Sequence, residues 1–136
     1  MKRKDIKFLV VDDFATMRRI VKNLLKDNGF ENIDEAGDGH TAWPMIQGGS
    51  YDFIISDWNM PIKTGIELLR LTRSSDKPLI KDLPFMLITA EQKRSQILEA
   101  AQAGVDGYIV KPFTSATLNE KMTKIFERKM PNLQKF

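Results

Sequence analysis

The sequence predicts a doubly wound α/β domain, and three features predict it. Five short stretches have strand character, five intervening segments carry apolar residues at helical spacing, and the connections between them are short. Strands buried on both faces read as unbroken apolar runs, as Phe8-Leu9-Val10-Val11 and Phe53-Ile54-Ile55 do. Because strand–helix–strand crossovers are right-handed, such alternation implies one five-stranded parallel sheet with helices on both faces. The 136 residues suit one domain, large enough to bury roughly two thirds of its unfolded surface.

The first strand, over 7–11, ends in Asp12-Asp13. Over 15–27, Met17, Ile20, Val21, Leu24 and Leu25 fall on one helical face with Arg18, Arg19, Lys22 and Lys26 off it. Gly29 follows as the C′ residue that closes this helix. A short strand over 33–36 leads through Gly37-Asp38-Gly39 into a helix around 41–47. Pro44 inside that helix would cost about 3 kcal/mol through its missing N–H and its clash with the preceding turn. The sequence therefore predicts Thr41 as N-cap, with Pro44 in the first turn, or a kink.

The third strand, Phe53-Ile54-Ile55, is bounded by Met60-Pro61 and carries Asp57 at its C-terminal end. Gly65 precedes a third helix that reaches about Ser74 and points Ile62, Ile66 and Leu69 inward. Residues 74–82 form a polar, proline-containing connection, the most flexible loop expected of the chain. A fourth strand over 83–88 ends in Thr89-Ala90-Glu91. The helix over 92–103 places Ile97, Leu98 and Ala101 on one side and closes at Gly104. A fifth strand over 106–110 ends in Lys111-Pro112. The last helix, over 114–128, buries Leu118, Met122, Ile125 and Phe126, with Thr114 or Ser115 as cap and Met130-Pro131 as stop. Residues 129–136 are expected to form a frayed tail. The result is a flavodoxin-like (βα)5 sheet.

Composition removes several function classes. With 42% apolar and 29% charged residues the chain is a globule. No apolar run approaches the length of a membrane span, and the charged start Met1-Lys2-Arg3-Lys4-Asp5 leads into a strand, so a cytoplasmic address is expected. The absence of cysteine excludes disulfides, thiolate metal sites and cysteine nucleophiles. The net charge of +3 is spread along the chain, without a basic stripe interleaved with aromatics, so neither nucleic acid nor membrane is an expected partner.

The chemistry lies at the strand ends. Asp12-Asp13, Asp57, Thr89 and Lys111 terminate four strands, and a parallel sheet gathers such ends on one rim, where these folds bind ligands. Each alone is an ordinary turn residue; the convergence of three carboxylates, a hydroxyl and an ammonium is not ordinary. Two unit charges about 4 Å apart repel by roughly 4 kcal/mol at an effective dielectric of 20, and a divalent cation relieves that repulsion. Oxygen donors with no histidine or sulfur nearby favour Mg2+, which welcomes phosphate oxygens. With Mg2+ and Lys111 offsetting charge, an aspartate can attack a phosphoryl group.

The runs Phe8-Leu-Val-Val-Asp-Asp-Phe14, Ile55-Ser-Asp-Trp-Asn-Met-Pro61, Thr89-Ala-Glu91 and Gly107-Tyr-Ile-Val-Lys-Pro-Phe113 resemble the receiver domain of two-component response regulators over nearly the whole chain. The resemblance is closest to the family's stand-alone chemotaxis members. It implies a receiver domain over 1–128 and no effector domain, hence output by contact. It also implies that Asp57 accepts a phosphoryl group from a CheA-like histidine kinase, that Asp13, Asp57 and the backbone carbonyl of Asn59 hold Mg2+, and that Asp12 acts through a bound water. Lys111 would contact the phosphoryl oxygens and precede a cis proline, Thr89 would follow the new charge inward, and Tyr108 would rotate into the vacated space. The implied output face consists of Arg94, Ile97, Ala101, Tyr108, Val110 and Lys121 on the fourth helix, fifth strand and fifth helix. It would bind the flagellar motor switch protein FliM. A dedicated phosphatase is a further implied partner, and the protein is expected to be a monomeric switch rather than an enzyme acting on other molecules.

Three departures stand out: Thr64-Gly65 lacks the acid often found before that glycine, the connection around Lys77-Pro78 is long, and the tail extends beyond Arg128. Other readings remain open. The same receiver could act as a phosphate sink or phosphorelay intermediate. A Mg2+-dependent phosphatase of the haloacid dehalogenase type would want an Asp-x-Asp pair after the first strand, where this chain has adjacent acids. An FMN carrier would want a hydroxyl- and glycine-rich loop there, where Asp12-Asp13 would repel an anionic cofactor. His40 at a turn and Trp43 read as a surface residue and a packing residue.

Overall fold

A computed structural model describes residues 2–131; positions 132–136, most of the expected tail, lie outside the described residues. Strands β1 (Lys7–Val11), β2 (Asn32–Ala36), β3 (Phe53–Asp57), β4 (Phe85–Thr89) and β5 (Gly107–Val110) form one parallel sheet in the order β2-β1-β3-β4-β5. Val10 pairs with Ile55, which pairs with Met86, so the apolar runs lie side by side in the middle of the sheet. The helices are α1 (Ala15–Asp27), α2 (Gly39–Gln47), α3 (Gly65–Arg73), α4 (Pro78–Lys81), α5 (Arg94–Ala103) and α6 (Ser115–Lys129). The predicted fold class is the observed one.

Strand alternation divides the core in two. Phe8, Val10, Phe53, Ile55, Met86 and Ile88 face α1 and α6, meeting Val21, Leu25, Leu118, Met122, Ile125 and Phe126. Phe8, Phe30, Phe53 and Phe126 pack there with ring centroids 4.8 to 5.8 Å apart. Leu9, Val11, Ile54 and Leu87 face the other way, against Ala42, Ile46, Leu68, Leu69 and Ala100 of α2, α3 and α5. All four residues expected to anchor the last helix are buried, and Thr114 caps it. Gly29 takes a left-handed φ of 89°, and the Phe30 N–H donates to the Leu25 carbonyl to close α1.

Five local expectations are corrected. Helix α2 begins at Gly39, with Asp38 rather than Thr41 as N-cap: the Thr41 N–H donates to the Asp38 carboxylate at 2.6 Å. Pro44 therefore lies well inside the helix. It lies on the exposed face, and His40, whose carbonyl loses its helical donor, is itself an exposed residue. Ile20 is 46% exposed because Val21 and Leu25 centre the buried stripe and Ile20 lies about 100° round from Val21. Ile62 points outward, 81% exposed and with a φ of 71°, rather than packing under α3. The expected flexible connection contains α4, where Pro78 occupies the first turn and Ile80 is buried. Finally, burial on α5 centres on Ala100, its single buried residue, while Leu98 and Ala101 are exposed.

Candidate functional site

The hydrogen-bond ladder extends just beyond the strands, and this fixes the rim residues. The Asp12 N–H donates to the Ala36 carbonyl (3.2 Å), the Trp58 N–H to Ile88 (2.8 Å) and the Lys111 N–H to Thr89 (2.8 Å). Asp12, Asp57 and Thr89 are buried and Asp13 is half-buried. One carboxylate oxygen each from Asp12, Asp13 and Asp57 lie within 4.8 Å of one another. Lys111 Nζ stands 3.2 Å from Asp57 Oδ1. The three acids and the ammonium expected on one rim are therefore together, and the Lys111-Pro112 bond is cis.

The site is electrostatically strained. Burial above all, and then the neighbouring Asp57 and Asp13 charges, push the Asp12 carboxyl up to about 6 against the Phe14 N–H and Lys111. Burial likewise raises Asp57, aided by Asp13 and opposed by Lys111. Asp12 Oδ1 accepts from the Phe14 N–H at 3.0 Å, but Asp12 Oδ2 and Asp13 Oδ1 are buried without a protein partner. Two orphaned acceptors in an all-oxygen donor set fit a hard divalent cation such as Mg2+. The single histidine, His40, is exposed on α2.

The remaining expected residues surround this centre. Thr89 Oγ1 is engaged with Glu91, donating to its carbonyl (3.1 Å) and accepting from its N–H (3.2 Å). Asn59 is exposed just beyond Trp58. Arg94, Ile97 and Ala101 lie on α5, Tyr108 and Val110 on β5 and Lys121 on α6. Of these, Lys121 and Tyr108 meet, with Nζ 5.9 Å from the ring centroid. Trp43 packs against the core, as expected of a packing residue.

Two contributors escaped the sequence reading. Gly65 donates its N–H to the Trp58 carbonyl at 2.9 Å. A Cβ there would collide with the Asp57 carbonyl oxygen and lie 2.9 Å from Leu87 Cδ2, so α3 can begin against the acid's backbone only with glycine. Arg18 donates from Nη1 to the Asp12 carbonyl at 2.7 Å; its basic position on a polar helix face gave no signal of that contact.

Comparison with known proteins agrees with this arrangement. Residues 8–123 match the response regulator receiver domain. The chain is 62% identical over 125 residues to chemotaxis protein CheY-3 of Vibrio cholerae, covering 92% of this chain and 95% of that protein. It is 60% identical over 123 residues to chemotaxis protein CheY of Pseudomonas aeruginosa, covering 90% and 98%. Among solved structures, Vibrio cholerae chemotaxis protein CheY4 superposes with a TM-score of 0.80 at 33% identity, covering 88% of this chain and 98% of that one. No helix among the described residues is long and apolar enough to cross a membrane. With the acidic rim in place and the match running from β1 into α6, the chain belongs to the response regulator receiver domain family.

Proposed function

We propose that this receiver accepts a phosphoryl group from a CheA-like histidine kinase on Asp57, in the presence of Mg2+. It then acts in the cytoplasm as a stand-alone chemotaxis regulator that docks by contact on a flagellar motor switch protein such as FliM. The observation that carries the reading is the trio Asp12, Asp13 and Asp57, with two orphaned oxygens and Lys111 paired to Asp57. The chemotaxis assignment is supported by the CheY relatives, matched over nearly their whole length.

Asp13, Asp57 and the Asn59 carbonyl would hold Mg2+ directly, and Asp12 through water. When bound, the ion supplies positive charge that offsets the clustered carboxylates and orients phosphoryl oxygens. Asp57 provides the nucleophilic oxygen. A new bond forms between it and phosphorus, while the bond from phosphorus to the kinase histidine nitrogen breaks and its electron pair stays on that nitrogen. Lys111, already beside Asp57 Oδ1, follows the charge onto the phosphoryl oxygens. Thr89 leaves its Glu91 contacts to donate to the new group, and Tyr108 turns into the space released. One or two charge-assisted hydrogen bonds of about 1.5 to 3 kcal/mol each supply much of the roughly 5.5 kcal/mol that inverts a 1:99 equilibrium.

Incubation with acetyl phosphate and Mg2+, followed by intact mass measurement, tests the chemistry. The wild type is expected to gain one phosphoryl group and Asp57→Asn none; equal yield on the variant refutes the assignment. Binding of a FliM N-terminal peptide with and without beryllofluoride tests the output, and an affinity unchanged by beryllofluoride points to a phosphate sink instead.

A further inference from the structure

Arg18 stands close to an acidic pocket with uncompensated charge, yet its guanidinium is engaged elsewhere. Nη1 donates to the Asp12 backbone carbonyl at 2.7 Å, and Nε donates to Glu35 Oε1 on β2 at 3.2 Å. Lys22, one turn further along α1, lies with Nζ 3.6 Å from the other Glu35 oxygen. The Arg18 side chain is 20% exposed, whereas Glu35, its side chain 35% exposed, meets it at the surface. The Asp12 N–H is tied to the Ala36 carbonyl, the residue after Glu35. Both ends of the Asp12 backbone are thus referenced to the same stretch of β2, one by the sheet ladder and one through the arginine. The Asp12 side chain is then set by the Phe14 N–H on Oδ1, which leaves Oδ2, like Asp13 Oδ1, buried without a protein partner.

We propose that Arg18 and Glu35 are positioning residues for the metal site: Arg18 clamps the Asp12-Asp13 turn by its backbone, and Glu35 keeps the guanidinium off the carboxylates. A planar guanidinium suits this task because it presents donors in two fixed directions, one to the carbonyl and one to the glutamate. Without Glu35 the charge would be free to swing toward the acids and compete with the cation. Without Arg18 the turn would keep its ladder bond but lose the contact that fixes its carbonyl. The proposal rests on the reading of the trio as a Mg2+ site. Partners of this kind, which orient ligands without touching the ion, typically change metal affinity by roughly 10- to 100-fold when removed.

The test is a Mg2+ titration followed by the fluorescence of Trp58, adjacent to Asp57, paired with a urea unfolding curve for each variant. Arg18→Met is expected to weaken Mg2+ binding about tenfold, with Arg18→Lys intermediate because one ammonium cannot span both acceptors. Glu35→Gln is expected to weaken it as well, and the double variant to bind no worse than Arg18→Met, since Glu35 acts through Arg18. A purely structural role would move the urea midpoint and leave the dissociation constant in place. If the wild type binds Mg2+ and the folded variants bind within twofold of it, the clamp is overturned and the metal site stands. If the wild type takes up no Mg2+ at millimolar concentration, the reading of the site fails and the clamp with it. Should Arg18→Met not fold, Glu35→Gln and Arg18→Lys decide by the same criterion.

Discussion

The two rims of the sheet solve opposite charge problems. At the C-terminal rim three carboxylates crowd around one ammonium, and two of their oxygens have no protein partner. At the N-terminal rim a single acid, Asp106, draws three cations: Arg73 Nη2 at 2.8 Å, Lys129 Nζ at 3.1 Å and Arg128 Nη2 at 3.2 Å. Asp106 also accepts the Phe85 N–H at 2.8 Å. Arg73 donates onward to the carbonyls of Lys81, Leu83 and Gly104, tying α3 to the end of α4 and to the segments that follow α4 and α5. The lower rim is saturated and serves the fold. The upper rim is left short of positive charge, the condition in which an added cation or a change of covalent charge has the largest effect.

Removing the saturated acid should do the most damage. Asp106→Ala removes the shared counter-ion of two guanidinium groups and an ammonium and leaves the Phe85 N–H without its acceptor, and is expected to cost about 3 to 5 kcal/mol in urea unfolding. Mg2+ should act on the other rim alone. At a hundredfold excess over its dissociation constant it is expected to stabilise the wild type by about 2.7 kcal/mol, and Asp13→Asn, which removes one of the proposed ligands, should lose most of that gain.

The acid-rich rim should also carry its own pH signature. The Asp12 carboxyl, raised in the fold to about 6 from 3.8, favours folding fully below 3.8 and loses that contribution as pH rises through about 6. In metal-free buffer Asp12→Asn is therefore expected to be more stable than wild type by about 1 to 2 kcal/mol at pH 7.5, with the difference closing as pH falls below 6. A constant difference from pH 4 to 7.5 would locate the effect in packing instead. The smallest change is expected of Arg128→Ala. This more exposed partner of Asp106 should cost less than about 1 kcal/mol, since Arg73, Lys129 and the Phe85 N–H remain.

These two rims were unequally legible in the sequence. The upper one could be read because the acids stand at the C-terminal ends of strands recognisable by their apolar runs, and parallel strands bring their ends together by topology alone. The lower one could not, since Arg73 and Arg128 reach Asp106 from α3 and α6 and no local pattern announces such a meeting. Strands buried on both faces and the four anchors of α6 follow directly from periodicity. Helix α4 did not, because Pro78 reads as a breaker although it is compatible with a first turn. Hydrophobicity alone points Ile62 inward, but its left-handed φ of 71° belongs to the turn between β3 and α3. Gly65 could be seen as a glycine before a helix, but its need to clear the Asp57 carbonyl is a matter of tertiary contact.

The thin anchoring of α5 has a consequence for signalling. Four large side chains root α6 in the core, whereas α5 has one fully buried residue, and that residue is alanine. A methyl group contributes on the order of 1 kcal/mol of burial, so sliding or tilting this helix forfeits little. Helix α5, downstream of Thr89, is thus less costly to displace than α6, and modest forces arising at the rim can move it without breaking the core.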